Sequence, residues 1–316
     1  MKTRYFLLSL LIFTIVSQLG CSDFDKKTIR VGSNVWPGYE TLHLAKHLGH
    51  IPHNIKLIEL MSATDVMEAF RLGRLEIAAL TLDEAMTLVS EGINLKIFLV
   101  MDVSHGGDMV ISRSTISDLS ELKGKTIAYE QTALGALMLH EAMQAGGLNI
   151  DDLKLVHLKI HQQIEAFNDG SIDAVITFEP VATKLLQFDS NVIFDSSNIP
   201  NMIVDVLVAR DNTLKEHSQL IKILVNGQFE ALQAINEKRY ESLEVMSQRM
   251  GISIEDLNTA MAGIHYPSMQ ENQQLLARGG TLNKTIKRLN RILHETSIIP
   301  KPIDAKALID DTYVKP

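Results

Sequence analysis

The chain has 316 residues, 46% hydrophobic and 22% charged, with 18 Gly and 8 Pro. That length accommodates two ordinary domains with sizeable cores, and that composition excludes collagen-like, low-complexity and wholly disordered chains. The acidic balance, 30 Lys plus Arg against 38 Asp plus Glu for a net charge of −8, argues against nucleic-acid binding, and the single Cys excludes disulfide frameworks and multi-thiolate zinc sites.

Lys2 and Arg4 precede an apolar run over 5–16 and then Ser17-Gln18-Leu19-Gly20-Cys21. The run is short for a permanent transmembrane helix and has the length of a signal-peptide apolar region. The lone Cys directly after Gly20 resembles the cleavage site of a bacterial lipoprotein. Residues 1–20 therefore read as a lipoprotein signal peptide, Cys21 as the lipidated first residue of the mature chain, and 21–27 as a polar tether. Loss of Lys2 and Arg4 leaves 28 basic against 38 acidic residues, a charge of −10. The expected location is the periplasm or cell envelope, anchored to a bacterial membrane through the lipid.

From Thr28 onward, β-rich runs alternate with helical periodicity. Strands are predicted at 29–32, 55–60, 77–80 and 96–103, and helices at 39–48, 64–72 and 83–90, several closed by a Gly. The pattern restarts after Val110-Ile111-Ser112-Arg113 with a short helix from Ser117. Strands at 125–129, 153–158, 174–178 and 191–194 follow, with helices at 134–145 and 162–168 and another opening on Pro180 as its first residue. An extended run at 202–209 starts no sheet of its own, and the remainder is helical at 214–250, 254–261, 270–276 and 282–294. Strand–helix alternation implies βαβ units, hence an α/β fold with mixed, mainly parallel sheets flanked by helices and a helical C-terminal region. The expected organisation is two lobes, 28–106 plus 205–316 and 107–204, joined by crossings near His105-Gly106-Gly107 and Ile203-Val204-Asp205.

Ligands of open α/β sheets collect beyond the carboxyl ends of strands, where helices begin. Those places hold Asn34, Trp36 and Tyr39, then Ser62 and Thr64, then Thr81, Asp83 and Glu84 in the first lobe. In the second they hold Tyr129, Glu130 and Thr132, then Phe178 and Glu179, and Asp205 stands on the return crossing. Ser62, Thr64, Thr81 and Thr132 are good helix caps, and converging caps also suit a small polar ligand. Trp36, the only Trp, is a packed turn anchor or a stacking platform. Each carboxylate alone has an explanation in the helix dipole. Five together with aromatic faces, and no Lys or Arg among them, fit an amine or other cation.

Several stretches resemble the periplasmic substrate-binding proteins of the nitrate, sulfonate, taurine and thiamine-pyrimidine group. They are Ile29-Arg-Val-Gly-Ser-Asn-Val-Trp-Pro-Gly-Tyr-Glu40, Leu80-Thr-Leu-Asp-Glu84, Leu122-Lys-Gly-Lys-Thr-Ile-Ala-Tyr-Glu130, Thr177-Phe-Glu-Pro180 and Val204-Asp-Val-Leu-Val208. Glu68-Ala-Phe-Arg-Leu-Gly73 and the 166–174 stretch are similar as well, so the likeness runs in order across 28–210. It implies a two-lobed type II periplasmic binding protein fold that captures a small molecule and delivers it to an ABC permease and its ATPase. The acidic ring opposes a bare anion such as nitrate or a sulfonate, and points to an amine-bearing or heterocyclic solute. No catalysis, cofactor or nucleic-acid partner is expected, and the receptor is expected to be a monomer.

Two alternatives stand beside this reading. One is a sensor that presents its ligand-bound form to a membrane signalling protein. The other is an enzyme of the same fold, of the thiamine-pyrimidine synthase or menaquinone-pathway type. The first such enzyme needs a Cys and His cluster absent here, and a signal peptide argues against the second. His43, His47, His50 and His53 are crowded but read as surface histidines near a turn, so no metal site is expected. Lys284, Lys287, Arg288 and Arg291 read as a solvated helix face.

Overall fold

The computed structural model describes residues 28–304 and 308–315. The expected signal peptide, the lipidated Cys21 and the tether lie outside the described residues. The chain runs β1 (Ile29–Ser33), α1 (Glu40–His47), β2 (Ile55–Glu59), α2 (Ala63–Arg71), β3 (Ile77–Thr81), α3 (Leu82–Ser90) and β4 (Leu95–Ser104). After a Gly-Gly crossing come β5 (Asp108–Arg113), β6 (Thr126–Tyr129), α4 (Ala133–Gly146), β7 (Lys154–His157) and α5 (Ile160–Asn168). Then follow β8 (Ala174–Phe178), α6 (Val181–Leu185), β9 (Ser190–Asp195) and the returning β10 (Val204–Arg210). The C-terminal part is α7 (Asp211–Glu216), α8 (Ser218–Glu237), α9 (Arg239–Met250), α10 (Ile254–Ala262), β11 (Ile264–His265), α11 (Met269–Leu276) and α12 (Thr281–Glu295).

Two mixed sheets organise these elements. The first is ordered β11-β4-β10-β3-β1-β2 and the second β7-β6-β8-β5-β9. Among the named strands, parallel pairing joins β1 with β2 and β3, and β6 with β7 and β8. Antiparallel pairing enters with the strands that cross between the sheets: β10 lies between β3 and β4, and β5 between β8 and β9. The extended run at 202–209 thus becomes a central strand of the first sheet.

Local chemistry explains most elements. α2 opens on Ser62, whose hydroxyl accepts the Asp65 amide, and buries Val66, Met67 and Phe70 on one face. α12 buries Leu282, Ile286, Leu289 and Leu293 and leaves Lys284, Lys287, Arg288 and Arg291 exposed. Two expectations are corrected. The single helix at 214–250 is three helices, broken by non-helical backbone at His217 and Lys238. Apolar spacing continues across both breaks, so periodicity cannot register them. Pro180 is not the first residue of α6 but the residue before it. Among the described residues no helix is long and apolar enough to cross a membrane.

One irregularity bears on function. Asp205 pairs with Asp102, but Val206 pairs with Val100, so Met101 bulges out of β4 and turns the strand at Asp102. β11 is too short to cover the outer edge of β4 here. The fully buried Asn272 of α11 does so, its amide donating to the Val100 carbonyl at 3.0 Å and its oxygen accepting the Val100 N–H at 2.8 Å. Asn272→Ala strands both backbone groups, and denaturant titration is expected to show a loss of about 1–3 kcal/mol. An unchanged unfolding free energy would mean that water or a neighbour replaces the amide.

Candidate functional site

The carboxyl ends of both sheets face one narrow cleft, partly open to solvent, whose interior volume is about 20 Å³. The loop after β1 brings Asn34, Trp36 and Tyr39 to its wall, the start of α2 brings Ala63, and the β3–α3 junction brings Thr81 and Glu84. Ile203 and Asp205 come from the return crossing. The second sheet supplies Asp108 and Phe178, which are register partners on β5 and β8, and α4 supplies Leu134. No Lys, Arg or His is among the described residues lining it.

Backbone topology creates the acidic centre. β10 sits between β3 and β4, so Asp205 is opposite Thr81 on one side and Asp102 on the other. The Tyr39 hydroxyl donates a very short hydrogen bond to Asp205 Oδ1, and Trp36 Nε1 donates to Asp102 at 3.2 Å. The Trp36 ring also meets Phe178 edge to face, centroids 6.0 Å apart, which joins the two sheets through aromatic contact. Thr81 donates its backbone N–H to Glu84 Oε2 at 3.1 Å, while Glu84 Oε1 is buried with no hydrogen-bond partner.

Burial without a cation moves every one of these acids upward. Asp102 rises to about 7 and Asp108 to about 8, both chiefly through desolvation. Asp83, fully buried just behind the wall, rises to about 6 for the same reason. Glu84 rises well above the usual carboxylate range through burial and then the neighbouring Asp83 charge. Asp205 does so through burial and the Asp102 charge, and burial with the Asp205 charge drives Tyr39 up as well.

The other expected residues have local duties. Ser62 and Thr132 cap α2 and α4, the latter accepting the Gly135 amide at 3.2 Å. Thr64 and Glu130 bind each other across the lobes, with Thr64 N–H 3.0 Å from Glu130 Oε1. Tyr129 stacks edge to face on His157 and lines an outer groove instead of the cavity. Glu179 accepts the Thr183 amide at 3.0 Å near the start of α6, its carboxyl raised by burial. Asp102 and Asp108 escaped the sequence reading, although an Asp inside an apolar strand and another directly after Gly106-Gly107 are visible signals.

Among the histidines, His47, His50 and His53 are exposed, but His43 is half-buried and pushed down to about 4 by desolvation. It lies with Glu40 and Glu59 in a group close enough to hold a metal ion. Arg249 already occupies that group, its guanidinium 2.9 Å from Glu40 and 2.5 Å from Glu59.

Gly38 makes the aromatic–acid contact possible. A Cβ there would fall 1.8 Å from Asp102 Oδ2 and 2.5 Å from Trp36 Nε1. Gly38→Ala is expected to cost about 1–3 kcal/mol by overpacking and to shift the emission of the sole Trp. Native-like stability and emission would show that the loop relaxes freely.

The chain is 23% identical over 248 residues to the taurine-binding periplasmic protein of Escherichia coli (strain K12), covering 76% of this chain and 77% of that one. Among solved structures it is similar to a zinc-bound ligand-binding component of an ABC-type import system from Staphylococcus aureus (TM-score 0.77, 16% identity, 91% and 98% of the two chains). It is also similar to the alkanesulfonate-binding protein SsuA from Xanthomonas axonopodis pv. citri bound to MOPS (TM-score 0.74, 15% identity, 90% and 98%). The same fold occurs in the desulfurization enzyme DSZB (TM-score 0.65, 14% identity, 90% and 97%). These neighbours establish the two-lobed periplasmic binding protein fold. The family model that matches residues 23–250 covers most of the sequence, and the chain belongs to the NMT1-like family.

Proposed function

We propose that the protein is the substrate-binding component of an ABC importer, anchored through a lipid on Cys21, that closes two lobes on a small cationic solute. The moving bodies are 28–106 with 205–316, and 107–204. The ligand is an amine or a protonated heterocycle, delivered to the permease without chemical change. The observation that carries the reading is a cavity lined by Glu84, Asp108 and Asp205 beside Trp36 and Phe178, with no basic side chain among its lining residues. A cation there meets carboxylates and aromatic faces, both of which attract it. A bare anion finds no basic side chain there to compensate its charge, although relatives are named for taurine and sulfonates.

A ligand panel tests this on the mature chain, with Trp36 fluorescence and thermal unfolding as readouts. Alkylamines or protonated heterocycles are expected to raise the unfolding midpoint, while nitrate and propanesulfonate leave it unchanged. At about 100 times its dissociation constant a ligand adds roughly 2.7 kcal/mol. A response to the anions alone would overturn the cation reading.

The raised carboxyls also set a pH trend. A carboxyl whose pKa is higher folded than unfolded keeps its proton in the native state after the unfolded chain has lost it, so stability falls as pH rises through the interval. For Asp102 and Asp108 that interval extends to about 7 and about 8. Glu40, at about 7, adds to the same slope outside the site, while His43, pushed down to about 4, opposes it only below its ordinary value. Between pH 6.5 and 8.5 the ligand-free midpoint is therefore expected to fall. A bound amine should reduce the fall and release protons on binding at neutral pH. A flat ligand-free profile over that range would mean these acids are not buried together in solution.

A further inference from the structure

The first turn of α2 is held from the opposite lobe by an acid. Glu130 follows β6, two residues before the Thr132 cap of α4, and its Oε1 accepts both the Thr64 N–H at 3.0 Å and the Thr64 hydroxyl at 2.5 Å. Thr64 is the second residue of a nine-residue helix, so this is one of the free amides that a helix N-terminus offers to an anion. Glu130 Oε2 is buried with no hydrogen-bond partner, and the residue as a whole is 6% exposed. Its backbone is fixed in place: the Thr132 N–H donates to the Glu130 carbonyl at 2.8 Å, and a Cβ on Gly135 would fall 2.2 Å from that oxygen. Beside it, Lys159 of the same lobe reaches Asp65 of the same helical turn at 2.6 Å.

The residue preceding Thr64 is Ala63, which lines the ligand cavity, and Glu130 adds to the burial and the Asp83 charge that raise Glu84. The helix end that an anionic ligand group would use thus already carries a carboxylate when the lobes meet. Resting on the cation reading above, we propose that Glu130 is the specificity-determining residue of the site. It is a built-in anion that fills the α2 N-terminus on closure and rejects any ligand that carries an anionic group as well as a cationic one. The rejection has two parts. The amide is already satisfied, and an incoming sulfonate or carboxylate would lie against the buried Oε2.

Taurine separates these effects, because its ammonium suits Glu84, Asp108 and Asp205 while its sulfonate needs the α2 N-terminus. Trp36 fluorescence titrations with taurine and with 1,3-diaminopropane are made on the wild type, Glu130→Ala and Glu130→Ser. The wild type is expected to respond to the diamine and not to taurine. Each truncation is expected to gain a saturable taurine response at least tenfold tighter than any in the wild type, a change of about 1.4 kcal/mol or more. The Ser variant serves if the Ala variant lacks a cooperative unfolding transition. A latch with only a structural role gives the opposite pattern: both truncations lose the diamine response and gain nothing with taurine. That result, or tight taurine binding by the wild type, overturns the assignment. No diamine response in the wild type together with a taurine gain in the truncations would sink the cation reading and leave the role of Glu130 standing.

Discussion

Desolvated acids without counterions are the constraint around which this molecule is arranged. Asp102, Asp108, Asp205 and Glu84 are all within a few per cent of complete burial, and among the described residues lining their cavity there is no cation. Burying an isolated ionised carboxylate costs far more than the net stability of a typical domain, so such groups hold protons or find partners. Here neutral donors do part of the work: Tyr39 serves Asp205, Trp36 serves Asp102, and a backbone amide serves Glu84. None of them supplies a charge. Elsewhere in the same chain, Glu40 and Glu59 receive Arg249, and Glu76 receives Arg30. Among the described residues, buried acid without a basic partner therefore gathers at and around the inter-lobe cavity.

The topology makes that concentration unavoidable. A chain that leaves one sheet and returns must thread its returning strand somewhere, and β10 inserts at the centre, between β3 and β4. This places a residue of the crossing, Asp205, opposite the last residue of β3 and opposite a strand interior residue of β4. The bulge at Met101 then aligns Asp102 with it, and the edge that the bulge disturbs is completed by Asn272 from the helical C-terminal part. Elements far apart in sequence, at residues 36, 102, 205 and 272, thus form one mechanical unit.

Much of this was legible in the sequence because the signals were local. Strand ends, caps and turn residues identified Trp36, Tyr39, Thr81, Phe178 and Asp205, all of which reach the cavity or its acids. What was not legible depended on pairing. Asp102 lies inside a run that reads as a buried strand, and only the antiparallel register of β10 turns it towards Asp205. Asp83 and Glu84 are adjacent on α3, and which of the two faces the cavity is set by helix rotation about the Thr81 junction, which favours Glu84. Thr64 and Glu130 appeared as separate ligand contacts, whereas inter-lobe geometry joins them to each other. The breaks at His217 and Lys238 are invisible to apolar spacing for a similar reason, since tertiary packing turns the chain without altering its pattern.

On the proposed reading, the same electrostatics drives the lobe motion. A ligand shifts a conformational equilibrium only by the difference in its affinity for the two states. With the lobes apart, Asp108 of one lobe would be separated from Asp205 and Glu84 of the other. In the closed form burial raises the pKa of Asp108 and of Glu84, and the Asp205 charge raises both further, which opposes closure on an empty cavity. A cation placed among them removes that opposition and adds attraction, so its contribution exists only in the closed state. The Thr64–Glu130 and Lys159–Asp65 contacts favour closure whether or not a ligand is present. A neutral solute of equal size would fill the cavity without relieving the acids, and the lobes would gain little by closing on it.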